Sequence, residues 1–73
     1  MRTWLRDLRL ASERTQEDLA GRLGISTAYY SLIEQGRRKR DLSLDLARKI
    51  SAEFRVPLEA IGTYEDKLKE VRN

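Results

Sequence analysis

Leu5 and Leu8, with Trp4 and Ala11 on the same side, recur at three- and four-residue intervals and predict a first helix over residues 2–12. Leu19, Ala20 and Leu23 repeat that spacing and predict a second. Thr15-Gln16-Glu17-Asp18 stands just ahead of them in the form of a capping box. The threonine oxygen can accept a backbone N–H of the new helix while Asp18 reaches back to the cap. Gly24 follows, where a chain leaving a helix turns left-handed. Ser26 then suits the cap of a third helix over 27–35, with Tyr30 and Ile33 inward, and Gly36 stops it as Gly24 stops the second. Leu44, Ala47, Ile50, Ser51 and Phe54 predict a fourth helix, and Pro57 opens a short fifth segment through Ile61. After Gly62, Thr63-x-x-Asp66 repeats the capping pattern. Tyr64, Leu68 and Val71 form an apolar stripe, predicting an extra C-terminal helical tail over about 63–72. No stretch alternates with period two, so strands are not expected. The pattern is all-α.

Composition narrows the chemistry. The chain of 73 residues is long enough for one domain, 1–73, and a domain of this size buries only about 60% of the surface its unfolded chain exposes. It has no cysteine and no histidine, which removes thiolate chemistry and the usual nitrogen and sulfur ligands of zinc. Neither a metal, nor a cofactor, nor a small-molecule ligand is expected. Twelve acidic residues are scattered beside Lys and Arg along helix faces, the ordinary pattern of solvated charge, so an enzyme is not expected. MRTWLRDLRL carries charges throughout, unlike a signal peptide, and no apolar run approaches the roughly 18 residues of a membrane span. A cytoplasmic protein is the expectation.

The net charge of +3 is unevenly placed. Residues 25–40 carry +3 by themselves, while 1–13 sum to +1, 14–24 and 41–56 to zero, and 57–73 to −1. The excess lies in Arg37-Arg38-Lys39-Arg40, directly after the third helix. Alone, such a run is usually a solvated face; beside a compact helix it becomes an electrostatic footprint for a polyanion.

Gln16, Leu19, Ala20, Leu23, Gly24, Ile25, Ser26, Ser31, Ile33, Glu34 and Gly36 together resemble the helix-turn-helix of the phage-repressor family, the lambda-repressor and Cro-like proteins also called the xenobiotic response element family. Leu5, Leu8 and Arg9 before them, and Phe54 and Val56 after them, fit the flanking helices, so the resemblance spans roughly residues 3–61, with the helix-turn-helix itself at about 16–35. It departs at Tyr30, where the family usually has isoleucine or valine, and in RRKRDLS, which is longer than the usual loop and lacks its proline. The resemblance implies a compact five-helix repressor-like domain whose third helix enters the major groove while the second crosses the backbone. It also implies a double-stranded DNA operator as partner, a bacterial or phage origin, and dimerisation through the region after the fourth helix. Repression is the expected sense of regulation.

The resemblance places Thr27, Ala28 and Leu32 nearest the base edges. Thr27 can hydrogen-bond a base or touch a thymine methyl, whereas Ala28 and Leu32 offer only apolar contact. Leu32 is equally readable as ordinary surface or peripheral core. Gln16 resembles the family's phosphate-contacting glutamine at a helix start, where backbone N–H groups favour an anion. Ser26 and Ser31 are candidate phosphate donors, although Ser26 also serves as a cap. Tyr29 can set its hydroxyl on a phosphate or pack with its neighbour. Two or three of Arg37, Arg38, Lys39 and Arg40 are expected on phosphates. Arg9 and Glu34 resemble a partly buried ion pair that orients the third helix, against a reading as unrelated surface charges. Tyr64, Leu68 and Val71 either fold back on the core or face a second copy, a homodimer. The competing function is a protein-interaction module, such as an antitoxin or co-regulator, that turns the same fold toward a protein partner.

Overall fold

A computed structural model of the chain describes residues 1–36 and 42–71, with side chains through 68. The described residues form five α-helices and no strand: α1 Thr3–Ala11, α2 Gln16–Leu23, α3 Thr27–Gln35, α4 Leu44–Phe54 and α5 Leu58–Val71. They fall into two compact units, Met1–Arg40 and Asp41–Asn73.

In the first unit, α3 packs against both α1 and α2. Local chemistry sets each boundary. Thr15 Oγ1 accepts the Asp18 N–H at 3.0 Å, and the Asp18 carboxylate accepts the Thr15 N–H at 3.2 Å, so two of the donors orphaned at the start of α2 are satisfied reciprocally. At the other end Gly24 takes φ 73°, and the Gly24 and Ile25 N–H groups return to the Gly21 and Ala20 carbonyls at 3.3 and 3.0 Å. This is a Schellman motif, and Gly24 supplies the positive φ it requires without a Cβ penalty. Ser26 then caps α3 by accepting the Tyr29 N–H at 3.1 Å. The turn between α2 and α3 is therefore Gly24-Ile25-Ser26, three residues each with a geometric task. Leu5, Leu19, Ala20, Leu23, Tyr30 and Ile33 are buried.

The end of α1 shows what the sequence pattern missed. Glu13 adopts φ 58° without being glycine, with the Glu13 and Arg14 N–H groups bonded to the Leu10 and Arg9 carbonyls. Ala11 is exposed; Leu5 carries the buried side of α1, with Trp4 and Leu8 half-buried.

In the second unit α4 packs against α5. Ser43 caps α4 by accepting the Leu46 N–H at 3.2 Å. That places Leu44 in the first turn, where it is 57% exposed; Leu46, Ala47 and Ile50 form the buried face instead. Of the predicted stripe, Ala47 and Ile50 are buried and Ser51 and Phe54 half-buried, while Leu46 takes the place expected of Leu44, which as the first residue after the cap faces outward. Arg55 ends α4 in the left-handed region at φ 56°.

Residues 58–71 are one helix rather than a short segment followed by a separate tail. Gly62 continues the helix, and the Thr63 hydroxyl donates to the Glu59 carbonyl at 3.1 Å, bonding back along α5 instead of capping a new start. A helical glycine costs about 1 kcal/mol relative to alanine, which a packed helix absorbs. A Cβ at Gly62 would meet nothing within 4 Å. Gly62→Ala is therefore expected to stabilise the protein by about 0.5–1 kcal/mol, seen as a rise of several degrees in Tm by circular dichroism.

Candidate nucleic-acid interface

α3 divides sharply between an inner and an outer side. Tyr30, Ile33 and Glu34 are buried, Thr27, Ala28 and Gln35 are exposed, and Tyr29, Ser31 and Leu32 lie between. Helical spacing sends positions 27, 28, 31 and 35 to one side when 30, 33 and 34 face in. Ser26 Oγ is engaged as the α3 cap, and Ser31 Oγ accepts the Gln35 amide at 3.0 Å. Both hydroxyls keep a proton to donate.

A polar network fixes α3 from behind. Arg9 on α1 donates from Nε to Glu34 Oε2 at 3.0 Å and from Nη2 to Glu34 Oε1 at 3.2 Å, a two-pronged pair. The pair is largely buried, with the Arg9 side chain 12% and the Glu34 side chain 3% exposed. Arg9 Nη1 also donates to the Arg14 carbonyl at 3.1 Å, tying the α1–α2 connection into the cluster. Gln16 at the start of α2 donates its amide to Glu34 Oε1 at 3.1 Å. One carboxylate thus links three helices.

Burial alone would push the Glu34 carboxyl up, but the hydrogen bonds from Arg9 and Gln16 and the nearby Tyr30 phenol outweigh it and hold the carboxyl below the usual carboxylate range. The hydrogen bond to Glu34 likewise raises Arg9 above its ordinary value. Tyr30 fills the position beside the pair. Its hydroxyl does not reach the surface; it is buried and completes no hydrogen bond among the described residues. Burial, reinforced by the Glu34 carboxylate, pushes the phenol well above its ordinary value. A group whose folded pKa is raised contributes stability that is complete below the unfolded value, about 10, and lost as pH climbs past it. Tyr30→Phe is therefore expected to move the alkaline unfolding midpoint upward. At pH 7 it should change stability by no more than about 1 kcal/mol, since Glu34 keeps its hydrogen bonds from Arg9 and Gln16. Tyrosine absorbance and circular dichroism followed together in an alkaline titration check both.

Gln16 occupies the first turn of α2, and only one of its two amide donors is taken by Glu34. Glu17 and Asp18 stand in the same turn, so the attraction of this helix end for an anion is partly offset. A phosphate here would be held by neutral hydrogen-bond donors rather than by net field. Arg37, Arg38, Lys39 and Arg40 lie outside the described residues, as does the side chain of Val71; Tyr64 and Leu68 are half-buried on α5. Among the described residues no group of three or more acidic side chains could hold a metal ion, and no helix is long and apolar enough to cross a membrane.

Sequence reasoning missed Arg2. Its side chain is fully buried, and its guanidinium donates to the Ile33 carbonyl at 2.7 Å. Nothing in the local pattern marks it, because its partner lies 31 positions away.

Comparison with known proteins agrees with this geometry. The family model described as Helix-turn-helix (HTH_3) matches residues 5–61. An uncharacterised HTH-type transcriptional regulator of Methanocaldococcus jannaschii is 46% identical over 66 residues, covering 90% of this chain and 97% of that protein. An uncharacterised HTH-type transcriptional regulator of Bacillus subtilis is 49% identical over 39 residues, covering 53% of this chain and 51% of that protein. No solved structure matches the chain significantly. A capped helix, a three-residue glycine turn and a second helix with a bare outer side, inside a family match covering most of the chain, place this protein in the Cro/C1-type helix-turn-helix family.

Proposed function

We propose that the chain is a sequence-specific, double-stranded DNA-binding transcriptional regulator, a repressor acting as a homodimer. α3 lies in the major groove, with Thr27, Ala28 and Leu32 toward the bases. Gln16, Ser26, Tyr29 and Ser31 hold phosphates, together with two or three of Arg37, Arg38, Lys39 and Arg40. The observation that carries this reading is the pairing of an exposed, small-residue outer side on α3 with a buried network that fixes the same helix. A groove-reading helix needs both, because contacts to base edges tolerate little error in orientation. Its readers are polar-poor, so thymine methyl contacts and DNA shape supply much of the discrimination. Tyr64, Leu68 and Val71 are assigned to the contact between copies, which would set half-sites about 34–36 Å apart.

One observation favours a second reading, a protein-interaction module. An open apolar groove of about 290 Å³ runs between α4 and α5, lined by Leu42, Leu44, Ala47, Leu58 and Ile61 with Glu65 and Asp66 beside them. Selection from a random-sequence duplex library separates the two readings. The enriched duplex and a scrambled one are then titrated against salt. A palindromic winner bound about a hundredfold or more above the scramble supports the regulator. The log–log salt slope should fall by about 0.9 for each phosphate neutralised. Absence of binding to either duplex at low salt sinks the DNA reading and favours a protein partner.

A further inference from the structure

The last turn of α3 takes a cation from a distant part of the chain. Helices concentrate partial negative charge on their last carbonyls and favour a cation there. α1 carries Arg9 and α2 carries Arg22 in the last turn, but α3 has no basic residue in its last turn. It has Glu34 instead, the sign the dipole disfavours.

The missing cation comes from the beginning of the chain. The Arg2 guanidinium donates from Nη1 to the Ile33 carbonyl at 2.7 Å, and the Arg2 backbone N–H donates to the Glu34 carbonyl at 2.7 Å. The Gly36 N–H serves the Leu32 and Ile33 carbonyls from the other side. Arg2 also flanks α1 as its N-cap: the Leu5 and Arg6 N–H groups bond to the Arg2 carbonyl at 3.1 and 3.2 Å. Its side chain is fully buried although neighbouring Met1 is 50% exposed. A buried guanidinium is tolerated where its hydrogen bonds are met, and the Ile33 carbonyl is one of its acceptors.

We propose that Arg2 is a positioning residue for DNA reading: a C-terminal cap supplied from a distant part of the chain that fixes the last turn of α3. This rests on the assignment of α3 as the groove-reading helix. Arg2 touches no DNA in this arrangement. It holds the Ile33 and Glu34 carbonyls, the two that follow Leu32 in the last turn of α3. Loosening that turn should blur base contact at Leu32 while leaving non-specific attraction to phosphates in place.

The test compares full-length wild type with Arg2→Met, Arg2→Lys and the control Ile61→Val, a modest core truncation in the other unit. Each is titrated with the selected duplex and with its scramble, and amide hydrogen exchange is followed in the free proteins. Arg2→Met should weaken the selected duplex about tenfold and the scramble less than about twofold, in keeping with the loss of a charged hydrogen bond. Arg2→Lys, which keeps the charge and N–H donors but not the planar fork, should recover part of the ratio. Exchange should accelerate at the Arg2 and Gly36 amides in Arg2→Met before it does so in α2. Ile61→Val should leave the ratio unchanged. Equal weakening of both duplexes by Arg2→Met, matched by the control, reduces Arg2 to general stability and overturns the proposal. If Arg2→Met does not fold, an unchanged ratio in Arg2→Lys overturns it equally. Failure of wild type to bind any duplex removes the DNA assignment itself, and this proposal with it.

Discussion

Glu34→Ala is expected to lower the melting temperature by about 12–24 °C, corresponding to about 3 kcal/mol in a domain of this size. The reason is what it leaves behind more than what it removes. Arg9 is only 12% exposed on its side chain, and without Glu34 its charge keeps just the Arg14 carbonyl as an acceptor among the bonds described above. Gln16 loses its acceptor in the same stroke. Removing one partner of a buried pair is costly, whereas replacing both by apolar groups of similar volume is often neutral. The double variant Arg9→Met with Glu34→Leu should therefore recover most of the loss in thermal melts at 222 nm. A double variant as unstable as Glu34→Ala would show that the pair itself, and not the stranded charge, carries the stability.

The same carboxylate sets the acid limb. Its folded pKa is depressed, so its contribution is complete above the unfolded carboxyl value of about 4.3 and disappears as pH falls through the lower folded value. Wild type and Glu34→Gln should differ most near neutrality and converge in acid. Parallel stability curves across that window would assign the acid transition elsewhere.

Ala28→Glu is expected to abolish specific DNA binding, by a hundredfold or more, with the fold intact. Ala28 is exposed on α3, so a glutamate there displaces nothing and is a good helix former. On the docking proposed above it sets a carboxylate among acceptor-rich base edges and phosphates, and a hundredfold corresponds to about 2.7 kcal/mol. Titration of the selected duplex and a thermal melt, run on the same preparation, read the two halves of the expectation. Undiminished binding would move the reading surface away from the outer side of α3.

What was legible in the sequence was what is settled within four residues along the chain. The Thr15–Asp18 box, the Ser26 cap and the left-handed glycines at 24 and 36 all have partners inside one turn, and they delimit α2 and α3 as the pattern predicted. The left-handed ends at Glu13 and Arg55 were not legible, because residues other than glycine occupy them, with backbone bonds such as Arg14 to Arg9 and Val56 to Ser51 closing the helix ends. Gly62 and Thr63 looked like a boundary because propensity favours one, yet tertiary contact along α4 carried the helix through. Leu44 misled by hydrophobicity alone: it stands one position past a cap that turns it to solvent. At the candidate site, the period of α3 placed Tyr30 and Ile33 inward, and both are buried. Arg2 and the bond from Gln16 to Glu34 were not legible, since both join segments far apart in sequence.

The split of α3 into buried Tyr30, Ile33 and Glu34 and exposed Thr27, Ala28 and Gln35 has an evolutionary consequence. The first set is engaged with α1 and α2, while the second makes no bond to them among those described. Exchanging an outward residue therefore leaves every bond of the inner network in place, so a duplicated copy of the chain can change its outward residues without a partner being lost inside.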